Sequence, residues 1–378
     1  MDGSAVESRV RASRSGIACQ VAQATDDADL RALLRENQMD GWVSVSLERE
    51  PSYFAKLTGG EEHQAIIARD TASGEAVGMC GRTVRPAYID GQVRPLGYIG
   101  ELRIAAGYRH RYQIIRQGFD ILRRDLHRPD QTPFYLTAVI EDNTAARRLL
   151  EANLPGKPSY RSISGCTTSV IRTRRGTVDA AMRAKPDDIP AIAQCLARNH
   201  ARYQFAPVWQ EDDIRNSAIT GGPGISDFLV HRVGSKITGC IALWDQAPVR
   251  QAVIRGYRAP ISWLRPAINL GGPLMGLPRL PHVGEALRQV YLSFTAVDDD
   301  NPEVFRVLVC AALRAARQRD FDLATISLAA KNDLLPILGG SFPGRDYHSQ
   351  LYLVHWPDGQ DAVAALGEKV IYVEAGLL

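Results

Sequence analysis

The feature that most restricts the fold of this chain is a succession of elements written in it twice. In the first half, "VRPLGYIGELRIAA" reads as a long strand, passes through a short basic turn, and continues as the helix "YQIIRQGFDILRRDL". In the second, "ALRQVYLSFTAV" passes through "DDDN" into the helix "PEVFRVLVCAALRAARQ". The first of these helices sets Ile114, Ile115, Phe119, Ile121 and Leu122 on one broad face, the pattern of a helix laid on a sheet.

The flanking segments extend the parallel. Ahead of the first junction stand the strand "IACQVAQAT", the helix "DADLRALLREN" and the strands "QAIIARD" and "AVGMCGRTVRPAYID". After it come the strand "FYLTAVI", the helix "NTAARRLLEAN" with Asn143 as N-cap, and alternating strands from Arg161 to Arg172. The second half answers with "VDAAMRA", the helix "DIPAIAQCLARNHARY", the strands "DFLVHRVG" and "KITGCIALWDQ", and finally "LATISLAA" and "QLYLVHW". Some strands are hairpin-linked and others are separated by helices. This predicts an α/β (α+β) fold of two units, each a mixed, mostly antiparallel sheet flanked by helices. The expected divisions are a disordered tail over 1–15, a first unit over 16–175 and a second over 176–378. A Pro- and Gly-rich insertion, 259–285, has no counterpart and should be loop-rich with one short helix.

Composition narrows the function classes. The 45 basic and 42 acidic residues leave a net charge of +3, too balanced to imply a nucleic-acid partner. Six scattered cysteines make no C-x-x-C and no metal spacing, so buried thiols in a reducing cytoplasm are expected and no metal site. No apolar run is long enough to span a bilayer and the start has no apolar signal core, so a cytoplasmic location without membrane attachment is expected. "GGPLMGLP" lacks the Lys-Ser/Thr of a phosphate-binding loop.

The basic turn carries the chemistry. A helix start presents unpaired N–H groups and partial positive charge, and Arg109 and Arg111 add donors suited to a phosphate. The plainer alternative is that these arginines only solvate a surface turn. At the matching place the second half has Asp298, Asp299 and Asp300, then Asn301 as N-cap and Pro302 at the first helical position. Three carboxylates repel a pyrophosphate, so the second unit is expected to be degenerate.

"LRIAAGYRHRYQIIRQGFDIL" resembles the acetyl-CoA-binding motif of the GNAT superfamily of N-acetyltransferases at Leu102, Ile104, Tyr108, Arg109 and Arg111. "EDNTAARRLLEANLPG" resembles that superfamily's downstream helix, started by Asn143. The resemblance implies two GNAT-like domains in tandem. It also implies an N-acyltransferase that moves an acyl group from acetyl-CoA, or another acyl-CoA, to a small-molecule or peptide amine. Cofactor contacts are then expected from Leu102, Arg103, Ile104, Arg109, His110, Arg111, Tyr112, Gln113, Ile114 and Asn143. Glu101 matches one place where the family has its general base, acting directly or through water; an ion pair with Arg103 is the alternative. Tyr112 and Ile114 replace small residues of the motif, and Leu150 stands where many members have an acidic Tyr. Tyr108, Tyr112, Tyr135 or Tyr160 could take that acid's place, none of them favoured by spacing, unless the thiolate leaves without a dedicated acid; Tyr108 is expected beside Glu101 as catalytic. The second unit would shape the acceptor pocket or a homodimer contact. A non-catalytic ligand-binding or assembly protein on the doubled scaffold is the competing reading.

Overall fold

In the computed structural model, residues 16–378 are described except 40, 59–60, 153, 180–181, 218–220 and 272–279. The expected tail, 1–15, and the middle of the insertion therefore lie outside the described residues.

The first half runs β1 (Ile17–Val21), α1 (Asp27–Glu36), β2 (Val43–Glu48), β3 (Glu62–Asp70), β4 (Ala76–Ile89), β5 (Gln92–Ile104), α2 (Tyr112–Ile121), β6 (Phe134–Ile140), α3 (Thr144–Glu151) and β7 (Ser159–Arg172). The second runs α4 (Ile189–His200), α5 (Glu211–Arg215), β8 (Phe228–Val233), β9 (Lys236–Trp244), β10 (Gln251–Tyr257), α6 (Ile261–Gly271), β11 (Gln289–Val297), α7 (Pro302–Gln318), β12 (Leu323–Ala329), α8 (Leu335–Ser341), β13 (Gly344–His355) and α9 (Gln360–Ala364). Helix α6 falls in the predicted insertion.

Local chemistry explains the long elements. Strands β4 and β5 form a hairpin through Asp90 and Gly91, both at positive φ (51° and 82°), the pairing that a two-residue turn matched to strand twist requires. Helix α7 is capped by the Asn301 side chain, which accepts from the Glu303 and Val304 amides. Its buried face, including Phe305, Leu308 and Leu313, fills the largest core against Ile241, Leu292 and Ile326. "VDAAMRA", expected as the opening strand of the second half, supplies a single bridge between Arg183 and Leu229 among its described residues.

Eleven strands form one sheet in the order β1-β3-β4-β5-β6-β13-β7-β12-β11-β9-β8. The sheet therefore runs without a break through both halves. More than that, the last strands change places: β13 lies between β6 and β7, and β7 lies against β12. Strands β2 and β10, one from each half, pair in a separate two-stranded sheet.

Candidate active site

Strand β5 pairs in parallel with β6 only at Gly97–Tyr135 and Tyr98–Leu136. Beyond Tyr98 the two strands part, so the β5 edge from Ile99 onward opens as a fork. On its other edge β5 stays with β4, but a bulge sets Glu101 and Leu102 against the single residue Cys80. Glu101 sits at φ 55°, a left-handed conformation that a side-chain-bearing residue adopts at a cost.

The Glu101 carboxylate, 24% exposed, accepts from the Tyr53 hydroxyl at 2.7 Å and from Arg49 Nη1 at 3.4 Å. Arg49 also donates to the Ala55 carbonyl at 2.5 Å and lies over the Tyr53 ring. Burial pushes Glu101 up, but the Arg49 guanidinium, His63 and the Tyr53 hydrogen bond together hold it below the usual glutamate range. It is ionised at neutral pH. The alternative partner, Arg103, donates instead to the Leu102 carbonyl at 3.1 Å. Next to this group His63 Nδ1 meets Thr83 Oγ1 at 3.2 Å, and burial lowers the ring to about 4, so it is neutral at pH 7. Opposite the bulge, burial drives the Cys80 thiol to about 12, and it stays protonated.

At the end of β5 a short 3-10 turn, Ala106–Tyr108, delivers the chain to α2. Arg109 and His110 are exposed there, and a Cβ added to Gly107 would meet nothing within 4 Å. Arg109 makes only long contacts, 3.4 Å to the Ile104 carbonyl and 3.5 Å to Asn37. Arg111 lies over the Tyr108 ring. Ile114 is buried in a cluster with Ile17, Ala68 and Val77, so its side chain points into the sheet and not towards the helix mouth. Tyr112 packs on the core of α2, and its hydroxyl donates to the Pro155 carbonyl at 3.3 Å, beyond the end of α3. Gln113 is exposed, and Asn143 caps α3 by accepting from the Ala146 amide at 3.2 Å. An open turn, two cations and the first amides of α2 are parts that fit a pyrophosphate.

The substitute tyrosines are spread apart. Tyr108 donates to Asp70 at 2.9 Å and Tyr135 is bonded to His127 at 3.0 Å. Tyr160 packs between Phe119 and Tyr352 beneath Lys157, with its hydroxyl pushed up by burial. Leu150 is a core residue in that same cluster. Thus Glu101 is brought together with Arg49, Tyr53 and His63, none of them singled out from the sequence, and not with Tyr108. Those partners come from segments whose local pattern carries no motif.

The second half repeats the geometry and closes it. Strand β11 pairs with β12 only from Gln289 to Tyr291, then forks, and its bulge places Phe294 at φ 53° where the first half has Glu101. The Phe294 ring stacks on Trp209 at 3.9 Å. Its amide donates to Glu374 at 3.0 Å, so a carboxylate from the chain itself occupies the bulge amide. Asp298 pairs with Arg198 and Lys236, both at 2.8 Å, and accepts from Asn199; these contacts outweigh burial and bring it to about 2. Asp300 pairs with Arg202 and accepts from Tyr203. This helix mouth is stitched to α4 by carboxylates. Among the described residues there is no group of side chains able to hold a metal and no helix long and apolar enough to cross a membrane.

No family model and no curated protein matches the chain. Among solved structures it is similar to N-myristoyltransferase of Saccharomyces cerevisiae with bound myristoyl-CoA, with TM-score 0.59 and 14% identity over 92% of this chain and 84% of that one. It is also similar to a GCN5-related N-acetyltransferase from Sphaerobacter thermophilus, with TM-score 0.50 and 11% identity over 89% and 95%. A third is the GCN5-related glucosamine N-acetyltransferase region of a fungal multi-domain GH3 β-N-acetylglucosaminidase, with TM-score 0.55 and 12% identity over 90% and 38%. Two forked sheets, each with a left-handed bulge ahead of a long helix, joined in one eleven-stranded layer, give this chain the GNAT fold in duplicate.

Proposed function

We propose that the protein is an acyl-CoA-dependent N-acyltransferase working at the fork of the first half. The observation that carries this is the contrast between the two forks. The first is open at a basic helix mouth and has an ionised glutamate at its bulge, whereas the second is filled by the protein's own carboxylates.

In this reading Arg109, Arg111 and the first amides of α2 hold the diphosphate, with His110 in the turn, Tyr112, Gln113 and Ile114 opening the helix and Asn143 starting the neighbouring one. The open edge of Leu102, Arg103 and Ile104 holds the pantetheine arm, and amides at the bulge face the thioester oxygen as charge develops on it. The acceptor nitrogen attacks the thioester carbon; the C–N bond forms, the C–S bond breaks, and coenzyme A leaves. Glu101, ionised and backed by Tyr53, takes the proton the amine loses, and the departing thiolate picks one up to leave as the thiol.

Acyl-CoAs from two to fourteen carbons should raise the melting temperature, and Arg109→Glu should remove that rise. Release of free coenzyme A with a panel of amines then tests turnover. Core-packed Leu150 favours the competing reading, a non-catalytic ligand-binding or assembly protein on the doubled scaffold; stabilisation without release across the amine panel would support it.

A further inference from the structure

On the face of the sheet that carries Glu101, a small cleft lies at the base of the fork, lined among others by Arg85, Leu96, Tyr98, Leu136, Phe205 and Glu374. Tyr98 and Leu136 are the last paired residues before β5 and β6 part. The walls are mostly apolar and the charges in them are unequal in their commitments. Glu374 is saturated, accepting from the Phe294 amide at 3.0 Å and from the Tyr372 hydroxyl at 3.2 Å. Arg85 is not. Its side chain is 13% exposed, its Nη2 reaches Glu61 at 3.3 Å, and its Nη1 is buried without a partner among the described residues. Glu61 is itself shared, accepting from the Leu57 amide at 2.7 Å. His63 lies close enough to feel both Arg85 and Glu101. Its Nε2 is likewise buried without a partner, and Thr83 on Nδ1 lets that nitrogen be the donor.

At the cleft itself Arg85 is a permanent cation with one donor unspent, and such a group calls for an anion. A planar guanidinium edge suits a carboxylate, and the apolar walls suit a hydrocarbon side chain. We infer that the acceptor is an amino acid with an apolar side chain, its carboxylate paired with Arg85 and its amine facing the thioester beside Glu101. This rests on the N-acyltransferase reading and names its substrate class. The reaction is amide formation: amine and thioester give N-acyl amino acid and free coenzyme A.

The test follows coenzyme A release by wild-type protein with leucine and phenylalanine, and with their amides, in which the anion is gone and the amine kept. The acids should exceed the amides in kcat/KM by roughly 10- to 100-fold, the range for a hydrogen bond to a charged group. Arg85→Gln should collapse that ratio towards one, mainly through KM for the acids, and Arg85→Lys should restore part of it. Equal turnover of acids and amides by the wild-type protein overturns the inference while leaving the N-acyltransferase reading intact, and needs no variant to fold. Stabilisation by acyl-CoA with turnover only of amines lacking a carboxylate, phosphate-bearing amines included, overturns it as well. Absence of any acyl-CoA stabilisation sinks the underlying reading itself.

Discussion

Glu101 does two jobs through two parts of one residue. Its backbone makes the bulge, and its carboxylate is held ionised by Arg49 and Tyr53. Replacing it by Gln keeps the shape and removes the charge, so kcat should fall roughly 100-fold or more, as for loss of a positioned base. Because the group is ionised well below neutrality, the rise of kcat/KM above pH 7 should track the acceptor amine; Glu101→Gln should lower that curve without moving it along the pH axis. Glu374 behaves in the opposite way. Burial raises it from 4.5 to about 7, so the folded chain holds this proton more tightly than the unfolded one. Its contribution to stability is complete below about pH 4.5, declines as pH rises to about 7, and is flat above. Melting curves from pH 5 to pH 8 should therefore show a smaller loss for Glu374→Gln than for wild type, by at most about 3 kcal/mol; parallel declines would show that another group titrates. What was legible in the sequence at this scale was local: the cap at Asn143, and the position of Glu101 and the arginines at the passage from strand to helix, on which the roles proposed for them rest. It was silent on Arg49, Tyr53, His63 and Arg85, because a partner delivered by another strand or loop leaves no spacing to read.

At the scale of elements, the fork depends on how closely β5 approaches β6 before they part. In the first half Gly97 pairs with Tyr135, and a Cβ on Gly97 would stand 2.3 Å from the Tyr135 ring. The second half inverts the sizes, with Val290 on β11 against Ala324 on β12. Gly97→Ala should therefore destabilise by about 1–3 kcal/mol in denaturant titrations. The double variant Gly97→Val with Tyr135→Ala should cost less than its two single changes summed, by about 1 kcal/mol of coupling. Periodicity disclosed most of these elements, since long strands and amphipathic helices write their burial along the chain. It misplaced "VDAAMRA", whose Val178 and Met182 do pack on the core of α7, but from an irregular segment. It also passed over β2 and β10, short strands that are stabilised by each other across more than two hundred residues of chain.

For the molecule as a whole, the expectation of two units resolves into one sheet with its last strands exchanged. No periodicity distinguishes β13 beside β7 and β6 from β13 beside its own half, because the same apolar faces are buried either way. Residues 16–175 expressed alone would leave β6 and β7 with nothing between them, and 176–378 alone would leave β12 without β7. Each fragment should be insoluble or unfolded alone, while co-expression should yield a soluble complex; calorimetry of the intact chain should give one cooperative transition. Independent melting of two fragments would contradict this. The exchange also bears on ancestry. A recombination event swapping one half for that of another doubled protein would deliver a foreign closing strand into the neighbour's interior, where Val354 faces Tyr160 and Ser349 faces Cys166. A change that loosens the sheet at the open fork is thereby felt at the sealed one, because neither half closes its own sheet without the other's last strand.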